Sequence, residues 1–199
     1  HNADCMDVLP DLPRFDLLLT DPPYGIGADN NKRNLSRSVL AAAVDYGEAN
    51  WDSEPPACEV VNAFVLNCDM SIIWGGNYFH LPPSPCWLVW DKDNGRNDFA
   101  DCELAWTNRK AAVRRFRWRW HGMLKEKPEK RFHPTQKPLA LLRWCFSLAN
   151  NAKTALDPFM GSGTTLLAAQ LEGREATGIE ISERYCEIAA KRLEQKVLF

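Results

Sequence analysis

The tetrapeptide Asp21-Pro22-Pro23-Tyr24 directly follows the apolar run Phe15–Thr20 and combines a carboxylate, two rigid prolines and an aromatic ring. Open α/β sheets bind ligands at the carboxyl ends of their strands, which is where such a segment would lie. A carboxylate and a carbonyl beside proline can both accept hydrogen bonds from an exocyclic NH2 group, and a tyrosine ring can stack on a base. The segment is therefore a candidate pocket for an amino-bearing base. The alternative is a proline-rich strand exit that holds no ligand.

A second segment, Asp157-Pro158-Phe159-Met160-Gly161-Ser162-Gly163-Thr164, lies between a predicted strand and a predicted helix. Its glycines allow a tight turn and the close approach of a ligand to the backbone. Glu180 ends the next predicted strand, where a carboxylate can accept hydrogen bonds from both ribose hydroxyls of a nucleoside. The segment lacks the third glycine of the dinucleotide fingerprint and the Gly-Lys-Ser/Thr of a phosphate-binding loop. The order of these elements predicts a nucleoside site, and the alternative is an ordinary glycine turn.

The hydrophobic pattern predicts strands that alternate with helices, which is typical of a mainly parallel sheet with helices on both faces. The predicted strands are Phe15–Thr20, 71–74, 87–90, Cys102–Thr107, 115–120, 154–156 and 175–179. The predicted helices are 36–44, 57–67, 138–149, Thr164–Leu171 and 182 to about 195, and residues 29–34 read as a polar loop. We therefore expect a single α/β domain over residues 1–199.

The composition is that of a globular protein: 199 residues, of which 45% are apolar and 25% charged. The sequence has no apolar run long enough to span a membrane and no visible signal peptide. Its seven cysteines occur singly, without a C-x-x-C pair, which indicates reduced thiols in a cytosolic protein and argues against a metal site.

The charge is unevenly distributed. Residues 109–131 hold ten Lys or Arg and two Glu, a local charge of +8 in a chain whose net charge is −2. Within them, residues 115–120 alternate strictly between arginine and aromatic side chains, which predicts a strand with one basic and one aromatic face. The basic face suits contacts with phosphate groups, and the alternative is the solvated face of an edge strand.

The two segments, in this order, resemble those of the β-class S-adenosylmethionine-dependent DNA amino-methyltransferases. In that class Asp-Pro-Pro-Tyr comes first and the glycine-rich cofactor loop comes last. Two further segments share the resemblance, Trp74-Gly75-Gly76-Asn77-Tyr78-Phe79 and His133-Pro134-Thr135-Gln136-Lys137-Pro138. The resemblance covers nearly the whole chain and implies a seven-stranded, Rossmann-like methyltransferase sheet with a circularly permuted motif order.

The resemblance also implies three sets of site residues. The catalytic segment that holds the base would be Asp21, Pro22, Pro23 and Tyr24, and Asn77, Tyr78 and Phe79 would either complete this pocket or pack in the core. The residues expected to lie against S-adenosylmethionine are Asp4, Cys5, Asp21, Thr135, Lys137, Asp157, Phe159, Gly161, Ser162, Gly163, Thr164 and Glu180, with Glu180 on the ribose. The residues expected to bind DNA are Arg114, Arg115, Arg117, Arg119, Lys32 and Arg33, most of them within a basic recognition segment at 109–133.

The activity that the resemblance implies is methylation of the N6 amine of adenine in DNA, with the target base flipped out of the duplex. Three alternatives stay open: cytosine N4 as the target, an RNA substrate, and a catalytically silent nucleic-acid-binding protein. Larger members insert a separate target-recognition domain where this chain has only a short stretch. We therefore expect a homodimer. The resemblance also implies a location in the cytoplasm of a bacterial or phage-infected cell, in association with the nucleoid. Pairing with a restriction nuclease is a further possibility.

Overall fold

The computed structural model describes residues 1–25, 54–95, 100–121, 124–125, 131–133 and 135–194. The strands in these ranges are β1 (Phe15–Thr20), β2 (Cys68–Trp74), β3 (Trp87–Asp91), β4 (Cys102–Thr107), β5 (Arg114–Arg117), β6 (Trp120–His121), β7 (Leu124–Lys125), β8 (Thr154–Asp157) and β9 (Glu175–Gly178). The α-helices are α1 (Cys5–Val8), α2 (Cys58–Leu66), α3 (Leu139–Leu148), α4 (Thr164–Leu171) and α5 (Glu183–Glu194). The predicted helix at 36–44, the loop at 29–34, and Lys32 and Arg33 lie outside the described residues.

Seven strands form one sheet in the order β5-β3-β4-β2-β1-β8-β9. β4 pairs antiparallel with β2 and with β3, and the other neighbouring pairs are parallel. The prediction of a mainly parallel sheet is thus confirmed. Because β1 lies directly beside β8, the segments that follow these two strands emerge next to each other at the carboxyl edge.

The central strand β1 is buried on both faces, because alternate side chains of a strand point to opposite sides of the sheet. Leu17 and Leu19 pack in one hydrophobic cluster with Phe146 of α3. Leu18 packs in a second cluster with Phe64 of α2. Helices therefore cover both faces, as predicted. None of the described helices is long and apolar enough to cross a membrane.

The predicted strand at 115–120 is the clearest boundary error. Strand β5 covers only Arg114–Arg117, paired in parallel with β3, and Trp120–His121 belongs to the separate strand β6. The reason is the length of the partner strand: β3 ends at Asp91, whose carbonyl accepts the last backbone hydrogen bond from Trp118 N at 2.9 Å. The alternation of arginine and aromatic residues continues past Arg117, but β3 is too short to pair with the residues that follow.

Candidate functional site

The carboxyl edge of the sheet carries acidic side chains from three neighbouring strands. Asp21 follows β1, Asp157 is the last residue of β8, and Glu180 lies just beyond the end of β9. All three line one cavity of about 420 Å³. This volume lies within the range of small-molecule sites in proteins. The fold thus brings the tetrapeptide, the glycine-rich segment and the predicted ribose-binding acid to one place.

The chain that leads into α1 supplies another wall of the cavity. It runs along the end of β9, where Ala3 N donates to the Glu180 carbonyl at 3.1 Å. Asp4 and Cys5 consequently line the cavity. One oxygen of Asp4 caps α1 by accepting from Met6 N at 2.8 Å. Burial and the neighbouring Asp4 charge raise the pKa of the Cys5 thiol to about 11, so this side chain is neutral near pH 7.

The carboxylate of Glu180 is fixed from both sides. One oxygen accepts from Gly161 N at 3.0 Å, and the other accepts from Ser182 N at 2.8 Å. Burial raises the pKa of this carboxyl, although the backbone donors oppose the shift. Each carboxylate oxygen can accept a further hydrogen bond. Glu180 can therefore hold a pair of hydroxyl groups without losing its contacts to the loop.

The two glycines of the loop have different roles. Both adopt positive φ, 51° at Gly161 and 76° at Gly163. Gly161 lines the cavity, whereas Gly163 does not. A Cβ at Gly163 would lie 2.7 Å from the Cβ of Ala189 in α5. The absent side chain therefore makes room for a helix rather than for a ligand, which corrects the reason that the sequence analysis gave for this glycine.

This difference predicts that Gly163→Ala lowers the free energy of unfolding more than Gly173→Ala does. Gly173 also has positive φ, 66°, but a Cβ there would meet nothing within 4 Å. Both substitutions add about 1–2 kcal/mol of left-handed backbone strain, and only Gly163→Ala adds an overpacking cost of about 1–3 kcal/mol. Urea denaturation of both variants measures the difference. Equal decreases in stability would show that the contact with Ala189 relaxes without cost.

The polar side chains of the loop are held by hydrogen bonds to other parts of the protein and to the loop backbone. Asp157 accepts from Thr20 Oγ1 at 2.7 Å and from Phe159 N at 3.1 Å. Burial raises the pKa of its carboxyl to about 6. The hydroxyls of Ser162 and Thr164 contact the buried guanidinium of Arg192 at 3.0 and 3.1 Å. These three predicted cofactor residues line the cavity, and their side chains stabilise the shape of the loop.

Asp21 is the centre of the first segment. One of its carboxylate oxygens accepts from Tyr24 OH, and the other accepts from Lys137 Nζ at 2.6 Å. Burial raises the pKa of the Asp21 carboxyl even though the Lys137 charge opposes it. Burial would lower the pKa of Lys137, but the carboxylates of Asp21 and Glu103 raise it well above its ordinary value. Lys137 is therefore a buried ammonium beside the proposed base pocket.

The ring of Tyr24 has contacts on the Trp74–Phe79 segment. A Cβ at Gly75 would lie 2.0 Å from a Tyr24 ring carbon, so the Gly75 backbone packs directly on this ring. The Tyr78 ring stacks on Tyr24 with centroids 4.8 Å apart and is itself 52% exposed. Asn77 is exposed, whereas Phe79 is buried in the core. Of the three residues considered for the pocket, Tyr78 is the one whose ring stacks on Tyr24 with its own ring partly exposed.

His133 and Thr135 also line the cavity, with the His133 ring close to Gly161. The ring of His133 packs on Tyr185 at a centroid distance of 4.4 Å, and its Nδ1 lies 3.1 Å from Thr135 Oγ1. Burial and the positive charge of Lys137 lower the pKa of His133 to about 4. His133 is therefore a neutral wall of the cavity at neutral pH.

Several lining residues were not found by sequence reasoning. Trp74, Gln136, Ile181 and Tyr185 line the cavity. Ile181 is 69% exposed although it is apolar, and this is the kind of surface that a ligand ring can cover. Its position directly after Glu180 could have indicated it. Conversely, the predicted residues Pro22, Tyr24 and Gly163 do not line the cavity.

The predicted DNA-binding arginines lie at the edge strand β5, at the opposite end of the sheet from β8 and β9. The chain presents Arg115 and Arg117 on one face of β5 and Arg119 just beyond it. Their side chains pair with carboxylates at the end of β3: Arg115 with Asp91 at 3.7 Å, and Arg117 and Arg119 each with Asp93 at 2.5 Å. Two carboxylates therefore hold the three guanidinium groups close together, and the arginine side chains are still 42–70% exposed.

The chain is similar to known proteins over most of its length. A family model described as DNA methylase matches residues 87–191. Type II methyltransferase M.ScaI of Streptomyces caespitosus is 42% identical over 244 aligned residues, which cover 98% of this chain and 80% of that protein. The chain belongs to this DNA methylase family. These methylases are amino-methyltransferases that use S-adenosylmethionine.

Two further matches agree with this family. Type II methyltransferase M2.DpnII of Streptococcus pneumoniae is 46% identical over 78 residues, which are 38% of this chain and 29% of that methylase. The chain thus spans less than a third of the length of M2.DpnII. A crystal structure of the M1.HpyAVI-SAM complex superposes with a TM-score of 0.59 at 24% identity and covers 96% of this chain and 97% of its own. At this identity the superposition shows that the two share the methylase fold.

Proposed function

We propose that this protein transfers a methyl group from S-adenosylmethionine to the N6 amine of adenine in DNA. One observation carries the proposal: the carboxylate of Asp21 lines the same cavity as Gly161 and Glu180. Asp21, an acceptor for an amine, and Glu180, an acceptor for the hydroxyl groups of a nucleoside, thus lie in the same cavity. Direct transfer between two bound molecules requires this arrangement, because orientation supplies much of the rate enhancement.

The cavity fits S-adenosylmethionine in its size and in its chemistry. Glu180 offers a carboxylate that two backbone donors hold in place, which suits the two ribose hydroxyls. Exposed Ile181 offers an apolar surface for the adenine ring of the cofactor, and Asp4 and Cys5 lie on the same wall. Gly161 leaves the backbone open, since a Cβ there would meet its nearest neighbour, a His133 ring atom, only at 3.7 Å. In this proposal Thr135, which also lines the cavity, contacts the methionine part.

The chemical task of the protein is to make an aromatic amine nucleophilic. The lone pair of such an amine is delocalised into the ring. When bound, S-adenosylmethionine would supply an electrophilic methyl group. The amine lone pair would form the new N–C bond as the S–C bond breaks to leave S-adenosylhomocysteine, and the methylated amine would release one proton to water. Asp21 accepts one N–H of the amine and the carbonyl of Pro22 accepts the other, which favours tetrahedral nitrogen and localises the lone pair. Acceptors that are already in place need no reorganisation during the reaction, and this is the main source of electrostatic catalysis.

The target base reaches Asp21 only after it leaves the duplex. Tyr24 supplies a ring beside Asp21, and Tyr78 already stacks on that ring. A flipped base can stack on the same platform, and base–aromatic stacking contributes about 1–3 kcal/mol. The position of Tyr24 depends on Gly75, whose backbone packs on the ring.

Cytosine N4 is the second candidate target, because its exocyclic amine presents the same two N–H donors to the same acceptors. Nucleoside analysis separates the two candidates. Unmodified genomic DNA is incubated with the protein and methyl-labelled S-adenosylmethionine, digested to nucleosides and chromatographed. We expect the label in N6-methyldeoxyadenosine. Label in N4-methyldeoxycytidine would replace the adenine proposal, and label in RNA but not in DNA would change the substrate.

We propose that the arginines at β5 contact DNA phosphates without reading the sequence. Arg115, Arg117 and Arg119 are exposed and belong to the basic segment 109–133, the first two on the edge strand β5 and the third just beyond it. Arg114 lies on the same strand and is also exposed. In this proposal a second copy of the chain contributes the remaining DNA contacts, because the recognition segment of a single copy is short.

Neutralising Arg115, Arg117 and Arg119 together with glutamine is expected to weaken duplex binding. The slope of log affinity against log salt should become shallower by about 0.9 for each phosphate that the variant no longer neutralises. The matched control neutralises three exposed cations elsewhere, Arg14, Arg143 and Lys191, and so makes the same change in net charge. Fluorescence anisotropy at several salt concentrations measures both slopes. Equal slopes for the two triple variants would place the DNA contacts on another surface.

A further inference from the structure

Four alternating charges form a continuous row from the surface to the base pocket, which we call the ion-pair chain. Lys92 Nζ contacts Glu103 Oε1 at 2.6 Å, Glu103 Oε2 lies 3.0 Å from Lys137 Nζ, and Lys137 Nζ contacts Asp21 Oδ2 at 2.6 Å. The inner ammonium of Lys137 is 7% exposed, and the other three side chains are 21–27% exposed. Buried ions of this kind are costly unless each is paired.

The reversed strand β4 makes the ion-pair chain possible. The other strands of the sheet end at the carboxyl edge, whereas β4 begins there, since it runs antiparallel to β2 and β3. Glu103 is the second residue of β4 and pairs with Trp90 near the end of β3. An early residue of β4 is thus placed beside Asp21, which follows the end of β1.

We propose that Glu103 is a positioning residue for methyl transfer: with Lys92 it anchors the Lys137 ammonium, which in turn holds the Asp21 carboxylate ionised and oriented toward the substrate amine. This inference rests on the proposed function, because it assigns Asp21 as the amine acceptor. Glu103 itself does not line the cavity, so it affects the substrate only through Lys137 and Asp21.

The balance of charges supports this role. With Asp21 ionised, the two ammonium groups and the two carboxylates sum to zero, whereas protonation of Asp21 leaves a net positive charge in a buried site. Burial would raise the pKa of Glu103, but Lys137 and Lys92 lower it to about 2, so Glu103 stays negative under all assay conditions. Lys137 favours the ionised form of Asp21, and the like charge of Glu103 opposes it. Glu103 therefore holds the Lys137 ammonium in position and also weakens the preference of Asp21 for its ionised form.

Other titratable groups face this site from the surrounding elements. Tyr24 donates to Asp21 from the same segment, and Asp157 of β8 is a nearby acid whose pKa is raised to about 6 by burial. His133 faces Lys137, and burial lowers its pKa to about 4. Asp157 is thus an acid outside the ion-pair chain whose own titration has to be separated from that of Asp21.

Two substitutions should shift the pH profile of the single-turnover methylation rate in opposite directions. Lys137→Met removes the cation that favours ionised Asp21, so the acid limb moves to higher pH by about one unit or more. Glu103→Gln keeps the side-chain shape and removes the opposing charge, so the acid limb moves to lower pH. Lys137→Arg retains the charge and should leave the limb near its wild-type position. Single-turnover rates report the chemical step without product release.

Titration of the Asp21 side-chain carboxyl by carbon NMR measures the same shifts without any turnover. We expect this carboxyl to titrate at higher pH in Lys137→Met and at lower pH in Glu103→Gln than in the wild type, and Asp21→Asn assigns the signal. S-adenosylhomocysteine binding serves as the folding control for each variant. If Lys137→Met does not fold, the isosteric Glu103→Gln decides alone. A wild-type acid limb and an unshifted carboxyl titration in Glu103→Gln would overturn the inference, and so would shifts of both variants in the same direction. An inactive wild-type protein with the expected carboxyl titrations would instead contradict the proposed function and retain the ion-pair chain.

Discussion

Replacing Asp21 by Asn is expected to lower the methyl-transfer rate by about 10²–10³ or more while leaving cofactor affinity nearly unchanged. The asparagine side chain has the same shape but only one acceptor oxygen, and its amide group donates where the substrate amine also donates. Within the part of the chain that the structure describes, the carboxylate of Asp21 accepts from Tyr24 and Lys137 and not from the glycine-rich loop. The decrease should therefore appear in the chemical step.

The measurement compares single-turnover rates of Asp21→Asn and the wild-type protein on the same duplex. Isothermal titration with S-adenosylhomocysteine shows that the cofactor site is intact. Lys137 keeps Glu103 as a partner in this variant, so no buried ammonium is left unpaired. A folded variant with near wild-type rates would remove Asp21 from the mechanism.

Replacing Glu180 by Ala is expected to weaken S-adenosylhomocysteine binding by about 10–100-fold. Hydrogen bonds to a charged group contribute about 1.5–3 kcal/mol, and each 1.4 kcal/mol is a factor of about ten in affinity. Glu180→Ala also removes the acceptor of Gly161 N, so the loop loses a support as well as its bond to the ligand.

Glu183→Ala is the matched control for this variant. Glu183 has the same side chain three residues further on, is exposed at the start of α5 and does not line the cavity. We expect Glu183→Ala to bind S-adenosylhomocysteine like the wild type in the same calorimetric experiment. If Glu180→Ala also bound with wild-type affinity, the cofactor would have to be held elsewhere.

Local patterns were sufficient to predict most of the fold. β1, β4 and α4 have the predicted boundaries, because each is a short apolar run bounded by proline, glycine or polar residues. The two sequence segments that follow β1 and β8 meet at the carboxyl edge, as a parallel sheet requires. Strand β5 is shorter than predicted, because its length is set by the partner strand and not by its own alternating pattern.

Contacts that depend on three-dimensional position could not be predicted from the sequence. Glu103 is a charged residue near the start of a strand, and its link to Asp21 follows only from the reversed direction of β4 and from Lys137, 34 residues further along the chain. The role of Gly163 likewise depends on the approach of Ala189 from α5. Pairings of this kind have no local signature, since neither partner reveals the other in the sequence.

One experiment asks whether this cavity brings the cofactor and DNA together for methyl transfer. The purified protein is incubated with tritiated-methyl S-adenosylmethionine and unmethylated genomic DNA, and the label in DNA is counted beside the S-adenosylhomocysteine formed. We predict equal amounts of labelled methyl groups and S-adenosylhomocysteine, with the label on an exocyclic amine and absent when Asp21→Asn replaces the wild type. A protein that binds the cofactor but leaves DNA unlabelled would show that this cavity does not methylate DNA.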